Sequence, residues 1–170
     1  IPLYNENELL QRTLQLAGKR VLELGCGRAE KTRALAAAGE VLEVVAMEVD
    51  AIQHAKNLAQ PQERVVFCHG GAEAIPAPDN SFDVVLMFKS LHHVPMPVME
   101  QALSEIRRVL KPGGYAWLSE PVYQGDFNDI LRLFHDEKIV REAAFAAISR
   151  AVAAGQLTLV QQLFFNTSGR

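Results

Sequence analysis

Short apolar runs of strand length alternate along this chain with segments whose apolar residues recur at helical spacing. Residues 20–24, 41–47, 64–68 and 82–88 are the strand-like runs, each bounded by glycine, proline or charged residues. The last is apolar at every position except Asp83, a pattern that suits a strand covered on both faces and predicts a central parallel strand. Between these runs the spacing predicts helices over 28–38, closed by Gly39, over 51–59, closed by Pro61, and over 98–110. The third carries Met99, Ala102, Leu103, Ile106, Val109 and Leu110 on one stripe. Lys111-Pro112-Gly113-Gly114 then turns into a fifth strand at 115–119. Before the first strand, 5–17 reads as an amphipathic helix with Leu9, Leu10, Leu14 and Leu16 inward, Asn5 or Asn7 as N-cap and Gly18 as the stop. Toward the C-terminus, 127–134 and 136–154 read as helices and 157–165 as a last strand. Such alternation is the signature of an open, doubly wound α/β sheet with right-handed crossovers.

Composition narrows the picture. A chain of 170 residues with 49% hydrophobic content is long enough for one well-packed domain and too short for two ordinary ones. Net charge is −3, with basic and acidic residues interspersed rather than gathered in a stripe, which argues against nucleic acid as a partner. Two cysteines, Cys26 and Cys68, lack the spaced partners of a zinc site or a disulfide framework and suit a reducing, cytoplasmic setting. No apolar run approaches the roughly 20 residues needed to cross a bilayer, and no basic-then-apolar leader is present, so a membrane role is not expected. The chain starts at Ile1 and stops at Asn166-Thr167-Ser168-Gly169-Arg170 after a strand-like run, and so reads as a fragment or a set of ordered residues.

In an open α/β sheet, ligands bind outside the carboxyl ends of the strands. After the first strand come Glu23, Gly25, Cys26 and Gly27, a strand-to-helix turn in which two residues without Cβ allow the backbone to approach a ligand. Glu23 would repel a pyrophosphate and welcome a cationic amino-acid headgroup. Glu30 also stands where a dinucleotide fingerprint wants its third glycine, which argues against an oxidoreductase. After the second strand come Glu48 and Asp50, roughly 20 residues beyond the turn, placed to accept hydrogen bonds from the two hydroxyls of a ribose. Glu48 is the first choice, since Asp50 also suits a helix cap. The third strand leads into Gly71, Ala72 and Glu73, and the fourth into Phe88, Lys89, His92 and His93.

The series Val21 to Gly27, the pair Glu48 and Asp50, Gly70-Gly71-Ala72-Glu73-Ala74-Ile75-Pro76, Asp79-Asn80-Ser81-Phe82-Asp83-Val84-Val85, Leu91-His92-His93-Val94 and Leu110-Lys111-Pro112-Gly113-Gly114 resembles, in order and spacing, the motifs of class I S-adenosylmethionine-dependent methyltransferases of the type 11 kind. The resemblance covers residues 20–120. It implies a Rossmann-like, mostly parallel sheet with helices on both faces, one domain over 1–170, and S-adenosylmethionine across the strand ends. It further implies an N-terminal helix at 1–19, a cofactor-binding core at 20–120 and a substrate-side part at 121–170. The turn from Glu23 through Cys26 to Gly27 would hold the methionine portion and Glu48 the ribose. Ala72 and Glu73 would flank the adenine, and Phe88, Lys89 and His93 would line the floor beneath the sulfonium. Two departures stand out. Gly71 occupies the place where the family often has an aspartate for the adenine amino group, leaving that contact to Glu73, to backbone or to nothing. The usual antiparallel closing strand does not appear before the chain ends.

Several of these residues also have plainer readings. Cys26 suits a small apolar filler between glycines. One of His92 and His93 would pack on the sheet while the other borders the pocket, so they are only weak candidates for a general base, and adjacent histidines on a helix do not converge on a metal. His135-Asp136-Glu137 reads as a helix cap. The activity implied is methyl transfer to a small-molecule acceptor bound near Tyr4 and residues 121–150, by a monomer or homodimer. The alternative is a protein that binds S-adenosylmethionine for regulation or scaffolding without turnover.

Overall fold

The computed structural model describes residues 10–11, 14–88, 94–119, 148–150 and 152–153. Among these residues five strands form one sheet: β1 (Arg20–Leu24), β2 (Glu43–Glu48), β3 (Val65–His69), β4 (Phe82–Phe88) and β5 (Leu110–Ser119). All neighbours pair in parallel, in the order β3-β2-β1-β4-β5. Three helices connect them: α1 (Glu30–Ala37), α2 (Ala51–Leu58) and α3 (Met99–Val109), the last entered through a 3₁₀ turn at Met96–Val98. This is the doubly wound α/β architecture that the alternation implied. The strand order reverses at β1, whose two neighbours are β2 and β4, so a crevice opens outside the carboxyl ends of these strands.

The alternation of side chains along each strand explains why β4 is apolar from Val84 to Phe88. Val85 and Met87 join Leu22 and Leu24 against Met99, Leu103 and Ile106 of α3. Val84 and Leu86 point the other way, joining Val21 and Val44 against Leu35 of α1 and against Leu10 and Leu16. With both faces covered, no position from Val84 to Met87 is left for a solvated side chain. A smaller cluster of Cys26, Ala29 and Ala46, with Val65 and Phe67 packed on it, lies beneath the first turn.

Four boundaries differ from the sequence expectation. The first crossover helix begins at Glu30 rather than Arg28, because Ala29 takes a left-handed conformation (φ 63°) and cannot be the helix's first turn. The second strand begins at Glu43. Val41 is buried, but its carbonyl accepts from the Arg64 guanidinium at 2.9 Å rather than from a neighbouring strand. Residues 111–114 lie within β5 as an irregularity rather than as a turn before it: Leu110 already pairs with Phe82, and the register shifts before Val84 meets Tyr115. Leu10 and Gln11 are helical, but the helix expected over 5–17 does not continue through Leu14 to Ala17. Of the elements expected beyond residue 120, only 148–150 and 152–153 are described, and these are helical, with Ile148 packed against the α3 cluster; the expected strand at 157–165 lies outside the described residues.

Candidate functional site

The first turn is built by three left-handed residues in alternation. Gly25 (φ 65°) and Gly27 (φ 56°) adopt that region at no steric cost, and Ala29 (φ 63°) follows them into α1. A Cβ built on Gly27 would meet nothing within 4 Å, so the space beside the turn is open. The turn is tied down from below. Cys26 N–H donates to the Met47 carbonyl (2.9 Å), and the buried Asn57 of α2 donates through Nδ2 to the Gly27 carbonyl (2.9 Å) while accepting from Gln53 at 2.9 Å.

Two carboxylates lie at this turn. Glu23 is 3% exposed, and its Oε1 accepts from the Thr32 hydroxyl of α1 at 2.5 Å. Glu48, at the end of β2, accepts from Gly27 N–H on Oε1 (2.8 Å) and from Asp50 N–H on Oε2 (2.9 Å). A carboxylate offers about four acceptor positions, so two remain on Glu48. Cys26, between the glycines, senses the resulting field: burial first, then the charges of Glu23 and Glu48, push its thiol up to about 12.

Asp50 has a different task. It is the N-cap of α2, accepting from Ile52 N–H (2.9 Å) and Gln53 N–H (3.1 Å). Between the two acids, Val49 is 66% exposed, and Ile52 on the next turn is 72% exposed, an apolar surface beside Glu48. His69 Nε2 donates to the Val49 carbonyl at 2.9 Å and fixes that residue from β3. The loop after β3 lies alongside, with Gly70 N–H donating to the Glu48 carbonyl at 3.1 Å. At Gly71, a built Cβ would sit 2.5 Å from Glu73 Oε2 and 2.6 Å from Oε1, so the Glu73 carboxylate fills the place a side chain at 71 would take.

Residues 22–118 match the family model described as methyltransferase domain. The chain belongs to this methyltransferase family. Within it, the relatives and structural neighbours place the domain among the class I, S-adenosylmethionine-dependent methyltransferases. It is 37% identical over 102 residues to the 27-O-demethylrifamycin SV methyltransferase of Amycolatopsis mediterranei, covering 58% of this chain and 37% of that protein. It is 32% identical over 124 residues to a ubiquinone biosynthesis O-methyltransferase of Aromatoleum aromaticum, covering 69% of this chain and 52% of that protein. The solved structure of YcgJ from Bacillus subtilis matches with a TM-score of 0.54 at 30% identity, over 62% of this chain and 45% of that one. The chain thus spans about half or less of the length of the curated relatives named here.

In this methyltransferase domain the structure brings Glu23, Gly25, Cys26, Gly27 and Glu48 to one end of the sheet, with Asp50, Gly71, Ala72 and Glu73 on the adjoining loops. Ala72 is buried, and Phe88 is half-buried at the end of β4 with Lys31 Nζ 5.1 Å from its ring centre. Lys89, His92, His93, Tyr4 and His135 to Glu137 lie outside the described residues. Sequence reasoning missed Thr32, Asn57, Val49 and Ile52. The first two are the buried polar residues of their helices, a signal visible only once the inner faces are known. Among the described residues no three His, Cys, Asp or Glu side chains gather as a metal site requires, and no helix is long and apolar enough to cross a membrane.

Proposed function

We propose that this domain binds S-adenosylmethionine outside the ends of β1, β2 and β3 and transfers its methyl group to a small-molecule acceptor. The observation that carries the reading is Glu48: a carboxylate fixed by two backbone N–H groups, with two acceptor positions left over, beside the open face of a glycine turn. A vicinal pair of ribose hydroxyls needs such an acceptor pair. The rest of the donor set fits the same ligand. The negative field around Cys26 suits an ammonium and a sulfonium. Glu23 supplies that field from within, its carboxylate occupied by Thr32. Val49 and Ile52 offer an apolar wall for a purine face, and Glu73, lying over Gly71, offers a carboxylate for an exocyclic amino group.

When bound, the group supplies an already activated methyl carbon. What remains for the protein is to hold the acceptor in line with that carbon and to exclude water, which needs no catalytic side chain when the acceptor is an amine, thiolate or carbon nucleophile. A hydroxyl acceptor would call for a base, for which His92 and His93 are the candidates by sequence. The relatives' names support a small-molecule acceptor, two of them being methyltransferases of a rifamycin and of ubiquinone biosynthesis.

The test is methyl transfer from radiolabelled S-adenosylmethionine across a panel of phenols, polyketide alcohols, quinols and amines. Label in any acceptor supports the enzyme. Saturable binding without transfer to any of them favours the non-catalytic alternative.

A further inference from the structure

Residues 70–80, in the connection from β3 to β4, carry Glu73 and no regular backbone ladder of their own. Its backbone is instead gripped by one stripe of α3. Gln101, Glu105 and Arg108 stand four and three residues apart, hence on one face of the helix, beside the buried face formed by Ala102, Ile106 and Val109. Gln101 Nε2 donates to the Glu73 carbonyl at 2.9 Å. Glu105 Oε1 accepts from Ile75 N–H at 2.9 Å. Arg108 donates through Nη2 to the Ile75 carbonyl (2.8 Å), and through Nη1 to the Ala77 carbonyl (2.8 Å) and Asp79 Oδ1 (3.0 Å). Its Nε and Nη2 also meet both oxygens of Glu105, at 2.6 and 3.2 Å. Residues 73, 75, 77 and 79 are therefore each anchored to α3, and both backbone polar groups of Ile75 are taken by the Glu105–Arg108 pair.

We propose that Arg108, Glu105 and Gln101 are positioning residues for cofactor binding: they hold the 70–80 loop so that the Glu73 carboxylate stays in the space left by Gly71. The proposal rests on the reading of the site given above. None of the three is a catalytic residue; each acts through the loop. Arg108 suits the task because its planar fork serves two carbonyls and two carboxylates at once, which an ammonium cannot do. The Gly71 geometry explains why positioning is needed. A carboxylate at 71 would be set by a short side chain two residues beyond β3, whereas Glu73 reaches the same place from further along the loop, where its backbone must be fixed from outside.

The experiment titrates the full chain with S-adenosylhomocysteine by calorimetry and follows thermal unfolding in parallel, for wild type, Arg108→Met, Gln101→Ala, Glu73→Gln and the Gln101→Ala/Glu73→Gln double variant. Arg108→Met and Gln101→Ala are expected to raise Kd by about 2- to 30-fold, the range for residues that couple to a site without touching its ligand. Gln101 is exposed on a helix where alanine is well tolerated, so this variant folds even where Arg108→Met does not. In the Glu73→Gln background, Gln101→Ala is expected to add nothing further to Kd, a coupling that a merely structural role would not produce. Wild-type affinity in both Arg108→Met and Gln101→Ala, or an effect of Gln101→Ala that persists undiminished without the Glu73 carboxylate, would overturn the inference alone. Absence of binding by the wild type would overturn the reading of the site and the inference with it.

Discussion

Replacing Glu48 by glutamine separates its role from that of Asp50. The two backbone donors at Glu48 fall on different oxygens, Gly27 N–H on Oε1 and Asp50 N–H on Oε2. An amide has one oxygen, so in Glu48→Gln one N–H must face an NH₂ group, and one of the two remaining acceptor positions becomes a donor as well. A buried donor left without a partner costs about 1–3 kcal/mol of stability, which for a domain of this size lowers Tm by about 2–4 °C per kcal/mol. Loss of the charged acceptor to a ribose hydroxyl costs affinity on the same scale, about 1–3 kcal/mol, or about 5- to 150-fold in Kd. Calorimetric titration with S-adenosylhomocysteine and differential scanning calorimetry read the two quantities independently. Asp50→Ala is the control: it removes the α2 cap, with an expected cost of about 0.5–2 kcal/mol in stability and no change in affinity. If Glu48→Gln binds as wild type while Asp50→Ala does not, the ribose belongs to Asp50 and the assignment fails.

Gly27→Ala places a non-glycine residue at φ 56°, which costs about 1–2 kcal/mol of stability, and puts a methyl group into the open space beside the turn; affinity for S-adenosylhomocysteine is expected to fall further than stability does, and an unchanged Kd would mean that the ligand does not use that space. Acid is expected to destabilise the fold. The Asp83 carboxyl, accepting from Arg20 N–H, and the Glu105 carboxyl, accepting from Arg108, are both held below their usual range. Their contribution is thus fully present above the unfolded values of about 3.9 and 4.3 and is lost as pH falls through the lower folded values; a Tm that stays flat from pH 5 to pH 3 would contradict this. Cys26, buried and pushed up to about 12, is expected to stay protonated at pH 8 and to react with a disulfide reagent only on unfolding, whereas the partly exposed Cys68 reacts in the native protein; equal native rates would refute it.

The fold was legible because each element repeats its message over several residues. The β4 run and the α3 stripe announce their burial through five or more apolar positions, and the structure places them on the two sides of one packed layer. Boundaries set by a single backbone conformation were not legible. Ala29 carries no glycine signal for its left-handed state, and Leu14 is apolar whether the helix reaches it or not. At the site, the glycine turn and the acids after β2 were visible as residue types. Their division of labour was not, since it depends on Asp50 facing the free N–H groups of α2 while Glu48 meets the turn from Gly25 to Gly27. The α3 grip on the 70–80 loop was invisible for a related reason: its partners lie 28 to 33 residues apart and meet only through the β3-to-β4 crossover.

The most direct measurement is calorimetric titration of the wild-type chain with S-adenosylhomocysteine, with NADH run in parallel. Saturable, one-to-one binding of S-adenosylhomocysteine alone is expected, because Glu23 and Glu48 place negative charge around Cys26 and Glu48 faces the turn as a paired acceptor. Binding of NADH instead would contradict the assignment from Glu23 onward.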